Sequence, residues 1–189
     1  MPIPRPTQLC HQFLRLFVSA GDTVIDATAG NGHDTEFLAS LVGETGRVVA
    51  FDVQRTALDS TRARLTAQGW SGRAILIHGS HAELPAHVDG NSASAIVFNL
   101  GYLPGADQSI ITTTAETLRA LDGASHVLRN NGLLAVVCYP GHAGGDEETE
   151  AVEAWMQRKA AERWRISRHS MIGTVRPSPC FFAAEKPAV

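Results

Sequence analysis

Cysteine is scarce in this chain: three residues among 189, Cys10, Cys138 and Cys180, lie far apart and without metal-ligand spacing. That usage excludes a disulfide framework and a zinc-finger-like centre, so a reduced, cytoplasmic protein with no metal site is expected. Long apolar runs are also lacking. No stretch approaches the ~20 residues that span a bilayer, and the start, MPIPRPTQLC, has no signal-peptide core, so no membrane partner is expected. Positive charge is not in excess either: 16 Lys and Arg face 19 Asp and Glu, for a net charge of -3. This argues against a protein that coats nucleic acid by bulk electrostatics and leaves any RNA contact to a local patch. Three chemical signatures are missing: a Walker-type phosphate loop, a His-Glu-x-x-His zinc motif and a Tyr-x-x-x-Lys pair. Tyr102 and Tyr139 are each followed four positions on by alanine.

What is present is a globular balance, 44% hydrophobic and 19% charged residues, in a length that suits one domain over residues 1 to 189. Residues 8 to 19 place Leu9, Phe13, Leu16 and Phe17 at helical spacing, and Gly21-Asp22 ends that helix. TVIDATAG, RVVAFDV, RAILIHG, SASAIVFNLGYLP and GLLAVVCYPG read as strands, separated by helical stretches. Asn130-Asn131-Gly132 is expected as the turn before the fifth of them. A last helix spans residues 146 to 163, and two weaker strands, RISRHSMI and PCFFAAEK, follow. Strands alternating with helices imply crossover connections. The expected fold is α/β and Rossmann-like, with a seven-stranded, mostly parallel sheet, an antiparallel C-terminal hairpin and helices on both faces.

In such folds a ligand sits beyond the carboxyl ends of the strands, where strand order reverses. Gly30-Asn31-Gly32 follows the first strand, where two glycines allow close backbone approach and the next helix offers unpaired N–H groups. Asp52, twenty residues after Gly32 at the tip of the second strand, is placed to accept both hydroxyls of a ribose. A pyrophosphate fingerprint would need G-x-G-x-x-G, but its third position is Thr35. The loop carries His33-Asp34 instead, and an acid there repels pyrophosphate while suiting an ammonium group. A cofactor with ribose, carboxylate and ammonium but no phosphate is S-adenosylmethionine. After the third strand, Ser80 and His81 either bond an adenine edge or form a helix N-cap beside an exposed histidine.

Asn99-Leu100-Gly101-Tyr102 ends the fourth strand and resembles the Asn-Pro-Pro-Tyr loop of amino-group methyltransferases. An Asn carbonyl there accepts a hydrogen bond from a target amine, and a nearby aromatic stacks on a base. An alkyl amine with a pKa near ~10 is mostly protonated at pH 7, so the site must favour the neutral form. His142 and Asp107 are candidates to take that proton, or are ordinary loop residues.

Taken together, Asp26 to Thr35, Phe51-Asp52-Val53-Gln54, Ser80-His81, Phe98 to Gly105 and Gly141-His142 resemble the bacterial MnmM family. The resemblance runs from about residue 8 to the end. It implies a class I methyltransferase fold and methyl transfer from S-adenosylmethionine to the exocyclic amine of 5-aminomethyl-2-thiouridine at the tRNA wobble position. By matching motifs it assigns Gly30, Asn31, Gly32, His33, Asp34, Asp52, Gln54, Ser80 and His81 to the cofactor. Asn99, Tyr102 and His142 would face the reacting amine, with Leu100, Gly101, Asp107 and Tyr139 on the substrate side. Ile111 and Pro140 depart from the family pattern on that side. The implied partner is a tRNA anticodon stem-loop, and a homodimer stays open. Arg158, Lys159, Arg163, Arg165, Arg168, His169 and Arg176 form a candidate phosphate-tracking patch. Glu147, Glu148, Glu150 and Glu153 at the start of the last helix are accounted for by its dipole, with no partner required.

Overall fold

The computed structural model describes residues 3–101, 112–141 and 143–188. Tyr102, Asp107, Ile111 and His142 lie outside the described residues. The chain begins with α1 (Pro6–Phe17), then β1 (Thr23–Asp26), α2 (His33–Val42), β2 (Arg47–Asp52) and α3 (Arg55–Ala67). A short 3₁₀ turn leads into β3 (Ala74–His78), and a second 3₁₀ helix, His81–Ala86, precedes β4 (Ala93–Asn99). Next come α4 (Thr114–Val127), β5 (Leu128–Cys138), α5 (Gly145–Ala161), β6 (Arg165–Ser170) and β7 (Cys180–Glu185).

Among the described residues the sheet has seven strands in the order β3-β2-β1-β4-β5-β7-β6. The β1–β2, β1–β4, β2–β3 and β4–β5 pairs are parallel, while β7 runs antiparallel to both β5 and β6. This is the fold expected from the sequence. Its cause is visible in the strand pattern. Neighbours such as Val24 and Ile25, Val48 and Val49, or Ala95 and Ile96 point to opposite faces, so each strand feeds two cores. One face packs Cys10 and Leu14 of α1, Leu38 of α2 and Leu58 of α3 against the sheet. The other packs Leu84, Leu121 of α4, and Val152 and Trp155 of α5.

Two local expectations change. The buried stripe of α1 is Pro6, Cys10 and Leu14, whereas Leu16 is 79% exposed. Residues four apart share a helix face, and Leu16 lies roughly 200° around the axis from Leu14. The Asn130-Asn131-Gly132 turn is a bulge inside β5 rather than a separate connection. The β4 register jumps from Ala93 opposite Leu128 to Ala95 opposite Leu133, and Asn131 takes a φ of 57°. Lys186 closes it, with main-chain bonds to Asn131 and Gly132 of 3.0 Å each.

The site follows from strand order. β1 sits where the chain first moves out to β2 and β3, then returns to the other side as β4. The carboxyl ends of β1 to β5 therefore open one crevice, edged by Asp26, Asp52, His78, Asn99 and Cys138.

Candidate active site

A cavity of about 550 Å³ occupies that crevice, within the ~300–1,000 Å³ typical of small-molecule sites. Gly30, Asn31, His33, Asp34, Asp52, Gln54, Ser80, His81, Asn99, Gly101 and Tyr139 all line it. Of the sequence candidates that are described, only Gly32 and Leu100 do not.

Gly32 stands at the N-cap of α2 with a φ of +81°, and a Cβ there would come within 2.7 Å of the Thr61 Cα. Its part is to turn the chain under α3. Thr61 fastens the same loop, donating to the Gly30 carbonyl at 3.1 Å, and Arg64 Nε donates to the Asn31 carbonyl at 3.0 Å. Leu100 is 1% exposed inside the core, so its side chain faces away from the cavity. Its position is fixed by a 2.9 Å bond from its N–H to the Val137 carbonyl.

Asp52 is held from both sides. The Gly30 N–H donates to one carboxylate oxygen at 2.9 Å and the Gln54 N–H to the other at 2.8 Å. Each oxygen keeps a further lone pair for a donor in the cavity. On the opposite wall, Asn99 Nδ2 donates to Asp34 Oδ2, while Asp34 Oδ1 meets His11 Nε2 at 2.6 Å. Tyr139 donates its hydroxyl to Asn99 Oδ1 at 3.4 Å. Burial pushes the Tyr139 phenol up to about 12, with the Asp34 charge adding to it, so it stays a neutral donor.

Ser80 takes the N-cap role, one of the two that the sequence left open, at a position on the cavity wall. It lines the cavity, accepts from the Ala82 N–H at 3.1 Å as the cap of a 3₁₀ helix, and donates to Glu116 of α4. His81 is buried rather than exposed, edge-on to Phe98, and burial lowers its basicity against the opposing Ala27 main chain, Glu116 and Asp52. Its Nε2 is buried without a hydrogen-bond partner among the described residues.

Several cavity residues gave no sequence signal. Thr7, Gln8, Cys10 and His11 come from α1, Thr112 and Thr113 from just before α4, and Glu116 from its first turn. The α1 residues are remote in sequence from every strand end, and a helix face aimed at a ligand carries no periodic mark of its own. The α5 acids also differ from expectation. Glu148 is 3% exposed and accepts from Thr112 at 2.7 Å and Thr117 at 2.6 Å, and Glu153 faces Arg168 at 3.6 Å. Thr112 in turn accepts from the Gly101 N–H at 2.9 Å, so the buried carboxylate fixes both Gly101 and Thr112 at the rim.

The basic patch divides. Arg165 is in register with Glu185 and, beyond it, Leu133, at the edge where the parallel strands begin; Ser170 is in register with Cys180 and Cys138 at the cavity edge. Five residues of strand separate the two by roughly 17 Å. Arg168 and His169 therefore stand nearer the cavity than Arg163 and Arg165 do.

Asp26 lies beneath the cavity and is fully buried. It accepts from Thr35 Oγ1 at 2.6 Å and the Thr28 N–H at 3.1 Å. Burial, and then the Asp34 charge, nevertheless push its carboxyl from 3.8 to about 7. Below pH 3.8 the proton is held in both the folded and unfolded states. Between that pH and about 7 only the folded state holds it, so this group's contribution to stability is lost as pH rises through that window. Denaturant unfolding from pH 4 to pH 8 is expected to show a fall of a few kcal/mol in the wild type that Asp26→Asn lacks. Parallel profiles for the two proteins would contradict the assignment.

A doubly wound sheet of this strand order, with its last strand antiparallel, a fixed acid at the β2 tip and Asn99 at the β4 tip, is the architecture of the class I, Rossmann-like, S-adenosylmethionine-dependent methyltransferases. Comparison with known proteins gives the family. Residues 48–185 match the family described as "Putative rRNA methylase". The chain is 38% identical over 177 residues to the Arabidopsis thaliana protein named tRNA (mnm(5)s(2)U34)-methyltransferase, chloroplastic, a span that is 89% of this chain and 65% of that relative. The crystal structure of a "putative rRNA-methylase" from Clostridium thermocellum superposes with a TM-score of 0.95 at 38% identity, covering 98% of this chain and 100% of the other. A "putative methyltransferase" from Streptococcus mutans, solved in complex with SAH, gives 0.89 at 34% identity over 98% and 99% of the two chains. The chain belongs to this rRNA-methylase family, and the resemblance read from its motifs holds.

The cofactor of the class is S-adenosylmethionine, and the cavity fits it. Asp52 offers oriented carboxylate oxygens at the β2 tip, Asp34 a carboxylate, and His81 a buried nitrogen without a partner among the described residues. No helix among the described residues is long and apolar enough to cross a membrane.

Proposed function

We propose that this chain transfers a methyl group from S-adenosylmethionine to the exocyclic amine of 5-aminomethyl-2-thiouridine at the tRNA wobble position, with a tRNA anticodon stem-loop as its macromolecular partner. The observation that carries this reading is the orientation of Asn99. Asp34 has only acceptors to offer, so the Asn99 amide turns Nδ2 towards it and Oδ1 towards the Tyr139 hydroxyl, and all three residues line the cavity. A carbonyl there accepts an amine N–H and leaves the nitrogen lone pair free, as an attack on carbon requires.

When bound, S-adenosylmethionine supplies an electrophilic methyl carbon on a sulfonium. The amine nitrogen forms the new N–C bond as the S–C bond breaks, and the bonding pair goes to sulfur. The product would be a secondary ammonium that gives up one proton to solvent, and the sulfur would be left as an uncharged thioether. Asp52 and Gln54 would hold the ribose end and Ser80 and His81 the adenine. Gly30, Asn31, His33 and Asp34 would hold the amino-acid end, with Gly32 shaping their loop. Asn99 and Tyr139 would orient the amine, with Gly101 at the rim and Tyr102, Asp107 and His142 from outside the described residues. The chloroplast relative's name supports the wobble substrate.

Nucleoside analysis of tRNA from a strain lacking the gene tests the reading. The expected result is accumulation of 5-aminomethyl-2-thiouridine and loss of its methylated form, restored by the wild-type gene. An unchanged wobble nucleoside profile would contradict it.

A further inference from the structure

We infer that His11 is a positioning residue for methyl transfer, acting through Asp34 to fix the orientation of the Asn99 amide. This rests on the methyl-transfer reading and deepens it. The motifs that carry the family resemblance begin at Asp26, and none of them includes a residue of α1.

The geometry is a chain of three side chains from three elements. His11 of α1 places Nε2 2.6 Å from Asp34 Oδ1, and Asp34, in the first turn of α2, accepts from Asn99 Nδ2 through its other oxygen. A carboxylate accepts only, so His11 presents Nε2–H, whichever way Nδ1 is protonated. The imidazole itself is clamped. It stacks on Phe37 with ring centres 3.9 Å apart and planes 2° from parallel, and the Arg15 guanidinium carbon lies 4.8 Å from the centre of the same phenyl ring. The Asp34 side chain is 16% exposed and that of His11 35%, so both contacts are part-buried, and hydrogen bonds to a carboxylate are the stronger kind.

The orientation matters because an Asn side-chain amide is nearly symmetric in shape and opposite in function at its two ends. With Oδ1 in the cavity, Asn99 accepts from the target amine and leaves its lone pair exposed. Turned over, Nδ2 would donate into that lone pair and block attack. Tyr139, whose hydroxyl donates to Oδ1 at 3.4 Å, favours the same orientation through a long contact, so the main restraint is Asp34. Asp34 keeps that role only while its own rotamer is fixed. Its other oxygen is fixed by His11. The carboxylate also has lone pairs left for the cofactor ammonium, so one side chain ties the two reactants together.

The test is a double-mutant cycle. Single-turnover methyl transfer to tRNA carrying 5-aminomethyl-2-thiouridine is measured for wild type, His11→Phe, Asn99→Ala and the double variant. S-adenosylhomocysteine affinity is measured by calorimetry for each. His11→Phe keeps a ring to stack on Phe37 and removes the donor. It is expected to slow transfer by about tenfold, the worth of one hydrogen bond to a charged group, with KM for tRNA within about twofold and S-adenosylhomocysteine affinity falling by clearly less than the rate. In the Asn99→Ala background the same change is expected to do nothing further, and His11→Gln, which can donate again, is expected to recover part of the rate. Additive losses in the double variant, or a loss of cofactor affinity that matches the loss of rate, would overturn the inference.

If the wild type transfers no methyl to that tRNA, the substrate reading has failed and the inference is read from NMR instead. The Asn99 side-chain amide resonance, identified by its absence in Asn99→Ala, is expected to shift towards the solvent-exposed position in His11→Phe. A resonance that does not move refutes the role of His11 whatever the substrate is.

Discussion

Asn99→Ala is expected to lower the single-turnover rate of methyl transfer by about 10²-fold, the usual effect of removing one preorganised polar group from a reacting centre. Cofactor affinity should stay within about threefold, because Asn99 bonds Asp34 and Tyr139 and its proposed ligand is the amine. The split is diagnostic. A chain that only binds nucleosides has no transfer rate to lose, and a structural Asn99 would carry cofactor affinity and stability down with it. Rapid-quench transfer beside calorimetry of S-adenosylhomocysteine binding separates these cases. Full retention of the rate would remove Asn99 from the mechanism.

Asp52→Ala should act on the other half of the site. Its two oxygens already accept the Gly30 and Gln54 N–H groups, and the remaining lone pairs face the cavity. Loss of two charge-assisted hydrogen bonds to ribose hydroxyls, at about 1.5 kcal/mol each, predicts a weakening of S-adenosylhomocysteine binding by roughly 10²-fold. Asp52→Asn, which keeps one acceptor oxygen, is expected to lose about tenfold. Calorimetry on both variants, with thermal unfolding to check the Gly30 loop, reads the effect. Unchanged affinity in Asp52→Ala would refute the ribose assignment.

How much of this was legible in the sequence follows from where each signal lives. The strands are short β-branched runs bounded by glycine and small residues, and the sheet needs little else, so β1 to β5 and the final hairpin could be placed by pattern. Asp52 was legible for the same reason: it ends one of those runs, a fixed distance from a glycine turn. Burial was much less legible. Nothing local separates an exposed His81 from the buried one, and the α5 acids that a helix dipole would satisfy include Glu148, which tertiary packing ties to Thr112 and Thr117. Contacts made across the fold were the least legible. His11 meets Asp34 only because α1 packs across β5 and β7 and reaches β4, and Arg165 parts from the cavity only because β6 is registered through β7 onto Leu133, five residues back from the cavity end of β5.

The central claim is that this cavity delivers a methyl group to a tRNA amine. The direct measurement incubates the purified protein with methyl-labelled S-adenosylmethionine and, separately, tRNA and ribosomal RNA from a strain lacking the gene, then digests each and identifies the labelled nucleosides. The account predicts label in 5-methylaminomethyl-2-thiouridine from tRNA and none in ribosomal RNA. Label confined to ribosomal RNA, or to no RNA at all, would contradict it.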